Sequence, residues 1–105
     1  MSKKLFVINV IGMDESPLDS RETFEWVERT LIVTFKEESE AQKKELLEKL
    51  ANELIIDEFI PTKGKKIFSD FYYDKKSGKY DCMLTIEDSI CGARAELIPC
   101  EVVEL

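Results

Sequence analysis

The chain has 105 residues, 44% of them apolar, which is enough for one packed core and not for two. With 15 Lys and Arg against 22 Asp and Glu its formal net charge is -7, and the absence of His excludes His-based acid–base catalysis and His-containing metal sites. Three cysteines without a CxxC pair argue against a disulfide framework or a zinc knuckle, and no stretch approaches the roughly 20 apolar residues that cross a bilayer, so a cytoplasmic setting is expected.

Residues 4–11 read as a strand covered on both sides. Leu5, Val7 and Ile11 fall on one face, and Phe6, Ile8 and Val10 on the other. Residues 12–20, with Gly12, Asp14, Pro17, Asp19 and Ser20, read as a polar connection. Residues 23–36 carry two signals. Asp19 and Glu22 have the spacing of a capping box that would open a short helix through Phe24, Val27 and Leu31. Against this, Thr23, Phe24, Trp26, Val27, Thr30, Ile32, Val33, Thr34 and Phe35 are β-branched or aromatic, and that composition predicts a second strand.

Ser39 followed by Gln42 is a capping box, and Leu46, Leu47, Leu50, Ala51, Leu54 and Ile55 trace one apolar face at helical spacing, predicting a helix from residue 40 to about residue 56. Pro61 and Gly64 end it and turn the chain. The rest reads as a three-stranded meander. A loop at residues 75–78 sets Tyr73 against Tyr80, Phe71 against Cys82, Ser69 against Leu84 and Ile67 against Ile86. A second hairpin turning through residues 88–92 is expected to set Glu87 against Arg94, Ile86 beside Ala95 and Leu84 beside Leu97.

The fold class that follows is α+β, a mainly antiparallel five-stranded sheet with one amphipathic helix in the order ββαβββ, forming a single domain. The opening ββαβ order resembles that of β-grasp domains, which implies a binding scaffold, although the first connection is longer than their tight hairpin. One helix of about 25 Å covers only one side of a sheet about 20 Å wide. The other face carries Phe68, Tyr72, Met83 and Ile98 among Asp70, Asp81, Thr85 and Glu96. Either the sheet curls on itself, or a partner or a second copy of the chain covers that face.

Chemistry-bearing motifs are sparse. There is no GxxxxGK[ST], GxGxxG or GxSxG, so neither a cofactor nor catalysis is expected. The pairs Asp14-Glu15, Glu37-Glu38 and Asp57-Glu58 read as solvated surface charge. Cys82, Cys91 and Cys100 read as small buried apolar residues, with Cys82 and Cys100 on opposite faces. Charge is distributed unevenly: residues 14–30 carry -4, residues 63–80 carry +4 and residues 81–105 carry -5.

Two functions are compatible with this pattern. The first is a small acidic protein-interaction module, possible also as a homo-oligomer, that meets a basic protein through Asp14, Glu15, Asp19, Glu22, Glu25 and Glu28 with Phe68, Tyr72, Met83 and Ile98 as apolar anchors. In size and acidity it is similar to phage-encoded inhibitors and toxin-neutralising immunity proteins, which implies masking of a target. The alternative is single-stranded nucleic-acid binding through Lys63, Lys65, Lys66, Lys75, Lys76 and Lys79 around Phe68, Phe71, Tyr72, Tyr73 and Tyr80.

Overall fold

The computed structural model describes residues 4–15, 22–58, 65–87, 89 and 91–100. Strands β1 (Leu5–Glu15) and β2 (Thr23–Val33) precede helix α1 (Glu40–Glu58), and β3 (Ile67–Asp74), β4 (Lys79–Ile86) and β5 (Gly92–Cys100) follow it. All ladders are antiparallel, and the sheet runs β2-β1-β5-β4-β3, as expected of an α+β fold with ββαβββ order. The strand after the helix lies at the far edge, and β1 pairs instead with the last strand. No helix among the described residues is long and apolar enough to cross a membrane.

The core forms where α1 lies on β5, β4 and part of β1. Leu47, Leu50, Ala51, Leu54 and Ile55 meet Phe6, Ile8, Val10, Cys82, Leu84, Ala93, Ala95 and Leu97 there, all of them buried. The helix starts as its sequence requires, with the Gln42 N–H donating to Ser39 Oγ at 3.2 Å. Lys43 stands on the apolar stripe one turn before Leu47. It is only 5% exposed. Its ammonium lies 5.0 Å from the Phe6 ring centroid and 4.7 Å from that of Tyr80, and pairs with Glu38 at 2.7 Å. The hydrogen bond from Lys43, which outweighs burial, holds the Glu38 carboxyl below its ordinary value.

Three expectations need correction. β1 does not end at residue 11, because Gly12–Glu15 continue the ladder with β2. Gly12 makes this possible: a Cβ there would lie inside the Trp26 ring, which covers the glycine backbone. The β4–β5 register is shifted by four residues from the expected one, with Leu84 opposite Ala93 and Cys82 opposite Ala95. The hairpin is tighter than expected, Ile86 N–H donating to the Cys91 carbonyl at 3.2 Å, and Gly92 sits where a Cβ would strike the Leu84 carbonyl oxygen. Finally, only Cys82 is buried. Cys91 is half-buried and Cys100 exposed. The β3–β4 register is the expected one at all four positions.

Between β1 and β2 the register steps from Val10 opposite Arg29 to Ile11 opposite Val27, so Glu28 is an extra residue in β2. The bulge reverses the facing of everything before it. Trp26 comes to the helix side over Gly12, and Glu25 comes to the opposite face.

Candidate protein-binding face

The sheet face turned away from α1 is covered by no described element, and the registers arrange it in cross-strand rows. One row is Thr30, Asn9, Glu96, Asp81 and Tyr72. The next is Val27, Ile11, Arg94, Met83 and Asp70, and a third is Glu25, Met13, Gly92, Thr85 and Phe68.

Ile11 and Met13 are buried on this face although no helix or strand among the described residues lies over them. Arg94 stands opposite Ile11 on one side of β1, Glu25 opposite Met13 on the other. Their ion pair, with Arg94 Nη2 donating to Glu25 Oε2 at 3.0 Å, therefore crosses β1 between the two side chains and shields them.

Further polar groups of the face join this pair in one connected network. Arg94 Nη1 donates to Asp81 Oδ2 at 3.0 Å and to Glu96 Oε2 at 3.3 Å. Lys79 pairs with Glu96 at 2.6 Å. Asn9 Nδ2 donates to Glu96 Oε1 at 3.0 Å and Asn9 Oδ1 accepts from Thr30 at 2.9 Å. The network spans β2, β1, β5 and β4, and Glu96, at 9% exposure, is its centre.

Burial would raise the Glu96 carboxyl, but hydrogen bonds from Lys79 and Asn9 and the charges of Lys79 and Arg94 outweigh it and hold the group below its ordinary value. Asp81 goes the other way. Its burial outweighs the attraction of Arg94 and Lys79, Glu96 adds repulsion, and the carboxyl is raised. Asp81 Oδ1 is buried and accepts no hydrogen bond among the described residues. Burial would lower the Arg94 guanidinium, yet the Glu25 hydrogen bond and the Asp81, Glu25 and Glu96 charges raise it.

The expected partner-binding residues do not form one patch. Phe68 and Tyr72 stand on β3, 52% and 57% exposed, and Met83 is half-buried in the row between theirs. Ile98 belongs with Val7 and Ile32 at the other end of the face. Glu25 is engaged by Arg94, Asp14 accepts from Cys91 Sγ at 3.0 Å, and Glu28 accepts from Trp26 Nε1 at 2.9 Å. Glu22 is exposed. Asp19 lies outside the described residues, as does the side chain of Glu15.

The lysines proposed for nucleic acid are also divided. Lys65 and Lys66 precede β3 and Lys75 and Lys76 follow it, exposed and about 30 Å apart at strand rise. Lys79 is paired with Glu96, and Lys63 lies outside the described residues. The aromatics alternate between faces, and Tyr80 is stacked between Phe71 and Tyr73, with centroids 5.6 and 4.5 Å away.

Sequence reading missed Arg94 as the keystone of the face. The available signal was that it is the one cation of residues 81–105, a segment of net charge -5. Lys43 could have been found from its place on the apolar stripe. No group of three or more Cys, Asp or Glu among the described residues is arranged to hold a metal ion.

Architecture and face together define an α+β fold of one sheet and one helix, with one sheet face that no described element covers. Neither a protein-family model nor a curated protein nor a solved structure significantly matches this chain.

Proposed function

We propose that this chain is a non-enzymatic protein-interaction module that docks another protein on the helix-free face of its sheet, as an inhibitor or immunity-type factor does when it masks a target. The observation that carries this reading is the pair of exposed aromatics, Phe68 and Tyr72, beside half-buried Met83, on a face that no described element covers. Large aromatics in the middle of a desolvated patch are the groups that anchor interfaces. The connected Arg94–Glu96 network supplies a rigid polar surround, because its members hold one another in place.

Charge gives the face a direction. The β2 side belongs to the segment of net charge -4, with Glu22 and Glu28 exposed, and favours a basic surface on the partner. Single-stranded nucleic acid is less well supported, because the lysines stand in two groups at the ends of β3 and the overall charge of -7 repels polyanions.

Affinity capture from source-cell lysate, with and without nuclease and at low and high salt, tests the reading. The expected result is a stoichiometric protein that survives nuclease, leaves at high salt and is lost with Phe68→Asp plus Tyr72→Asp. Retention of nucleic acid alone, or a protein retained equally by the double variant, would overturn it.

A further inference from the structure

Among the described residues the sheet has two unpaired edges, and they are built differently. β2 is broken by the bulge at Glu28 and carries Glu25, Glu28 and Arg29. Bulges and charges are what keep an edge from pairing with another strand. β3 has no bulge, and its charged residues are Asp70 and Asp74. Its eight residues run in unbroken register with β4, contain no proline or lysine, and include Phe68, Phe71, Tyr72 and Tyr73.

The hydrogen-bonding groups of that edge can be assigned. The Lys66 carbonyl accepts from the Glu87 N–H at 2.9 Å, and the Asp74 carbonyl accepts from the Gly78 N–H at 2.8 Å. In an antiparallel ladder, alternate residues turn both backbone groups to the same neighbour. Even-numbered residues of β3 therefore face β4, whereas Ile67, Ser69, Phe71 and Tyr73 present their N–H and C=O groups outward.

Space exists beside those groups. α1 lies over β5, β4 and β1 and stops short of β3, leaving an open groove of about 610 Å³ between Ala41, Lys44 and Glu48 on the helix and Ile67, Ser69 and Leu84 on the sheet. A sixth strand would direct alternate side chains into this groove and the others towards Phe68 and Tyr72.

Charge selects the occupant. A second copy paired antiparallel through the same outward residues would set Ile67 against Tyr73, which brings Lys65 against Lys75 at both ends and Asp70 against its own copy at the centre, three like-charge contacts against two attractive Lys66–Asp74 pairs. A foreign strand with acidic residues at its two ends meets the same lysines favourably.

We propose that the free edge of β3 is a strand-addition site for an extended segment of a partner protein, about eight residues long, apolar at alternate positions and acidic at both ends. The proposal rests on the protein-binding reading above and specifies how part of that contact is made.

Two end-blocked synthetic peptides test it: Glu-Glu-Val-Thr-Val-Thr-Val-Thr-Glu-Glu and the same peptide with lysine in place of each glutamate. Binding is read by fluorescence anisotropy and amide exchange by NMR. The glutamate peptide should bind about tenfold more tightly, four end pairs each contributing a few tenths of a kcal/mol. Exchange at Ile67, Ser69, Phe71 and Tyr73 should slow by about tenfold or more in its presence.

Joint substitution Lys65→Glu, Lys66→Glu, Lys75→Glu and Lys76→Glu should invert the preference. Ser69→Pro, which removes an outward N–H without touching the β4 ladder, should abolish binding while the amide spectrum of α1 and β5 is kept. Failure of both peptides to bind at millimolar concentration, or binding that leaves those four amides unprotected, would overturn the proposal. If Ser69→Pro retains a lysate partner that Phe68→Asp plus Tyr72→Asp loses, strand addition is wrong and the open-face reading stands.

Discussion

Arg94 and Asp81 carry the residue-scale physics of the open face. The network holds three carboxylates, Glu25, Asp81 and Glu96, against two cations, Arg94 and Lys79. Arg94→Ala removes the one group that all three carboxylates face and uncovers Ile11 and Met13, so it should cost about 3 kcal/mol in a urea melt. Asp81→Asn balances the charges and removes a carboxylate whose Oδ1 has no partner. At pH 7 it should stabilise the chain by about 1 kcal/mol, because a partly buried amide costs less to desolvate than an ionised carboxylate. The pH dependence separates the two acids. The Asp81 carboxyl is raised above its ordinary 3.8 by folding, so its ionised form opposes folding, and that cost disappears as pH falls through its folded value. Glu96 is lowered from 4.5, so its contribution is complete above 4.5 and is lost as pH falls through its folded value. The advantage of Asp81→Asn over the natural chain should therefore be largest at neutral pH and shrink towards pH 4. Parallel urea melts across that interval check it, and an advantage independent of pH would sink the account.

At the scale of elements, the order of all six was legible: α1 from an apolar stripe of period three to four, β3 to β5 from side-chain alternation, β1 from its apolar run and β2 from its β-branched and aromatic composition. Side-chain alternation fixes which face a residue takes, and therefore fixes register only to an even number of residues. That is why β3 against β4 could be read, with a four-residue loop to anchor it, while β4 against β5 was displaced by four residues with every inner residue still inside. The datum that decides the second hairpin is Gly92, whose position against Leu84 excludes a side chain. Gly92→Ala should cost about 3 kcal/mol through backbone displacement, far more than glycine replacement in an open turn, and a urea midpoint close to that of the natural chain would refute the steric argument. The bulge at Glu28 explains the unreadable stretch before it. It reverses the facing of Trp26 and Glu25 in mid-strand, so neither a strand nor a helix period runs through residues 23–33. The open face was foreseen through Phe68 and Tyr72. The Arg94 network was not, since its partners come from four strands and no local spacing records them.

For the whole molecule, the question is whether a chain with an exposed aromatic edge stays single. The net charge of -7 opposes self-association only weakly, since exposed charges beyond about 10 Å are screened at moderate salt. The groups close enough to act are Lys65 and Lys75, which meet each other at both ends of an antiparallel pair of β3 strands joined through their outward residues. Placed just outside the strand, they guard against a second copy without blocking the edge to a strand of opposite end charge. Replacing both by Gln removes two positive charges and takes the net charge from -7 to -9. If overall charge set the oligomeric state, that variant would be the more strictly monomeric. If the local lysines set it, the more highly charged variant should dimerise. Sedimentation velocity of both proteins over a range of concentrations decides between these. The expected outcome is a natural chain that stays monomeric and a variant that forms dimers, with slowed amide exchange at Ile67, Ser69, Phe71 and Tyr73. A variant that remains monomeric at every concentration would show that the lysines do not guard the edge.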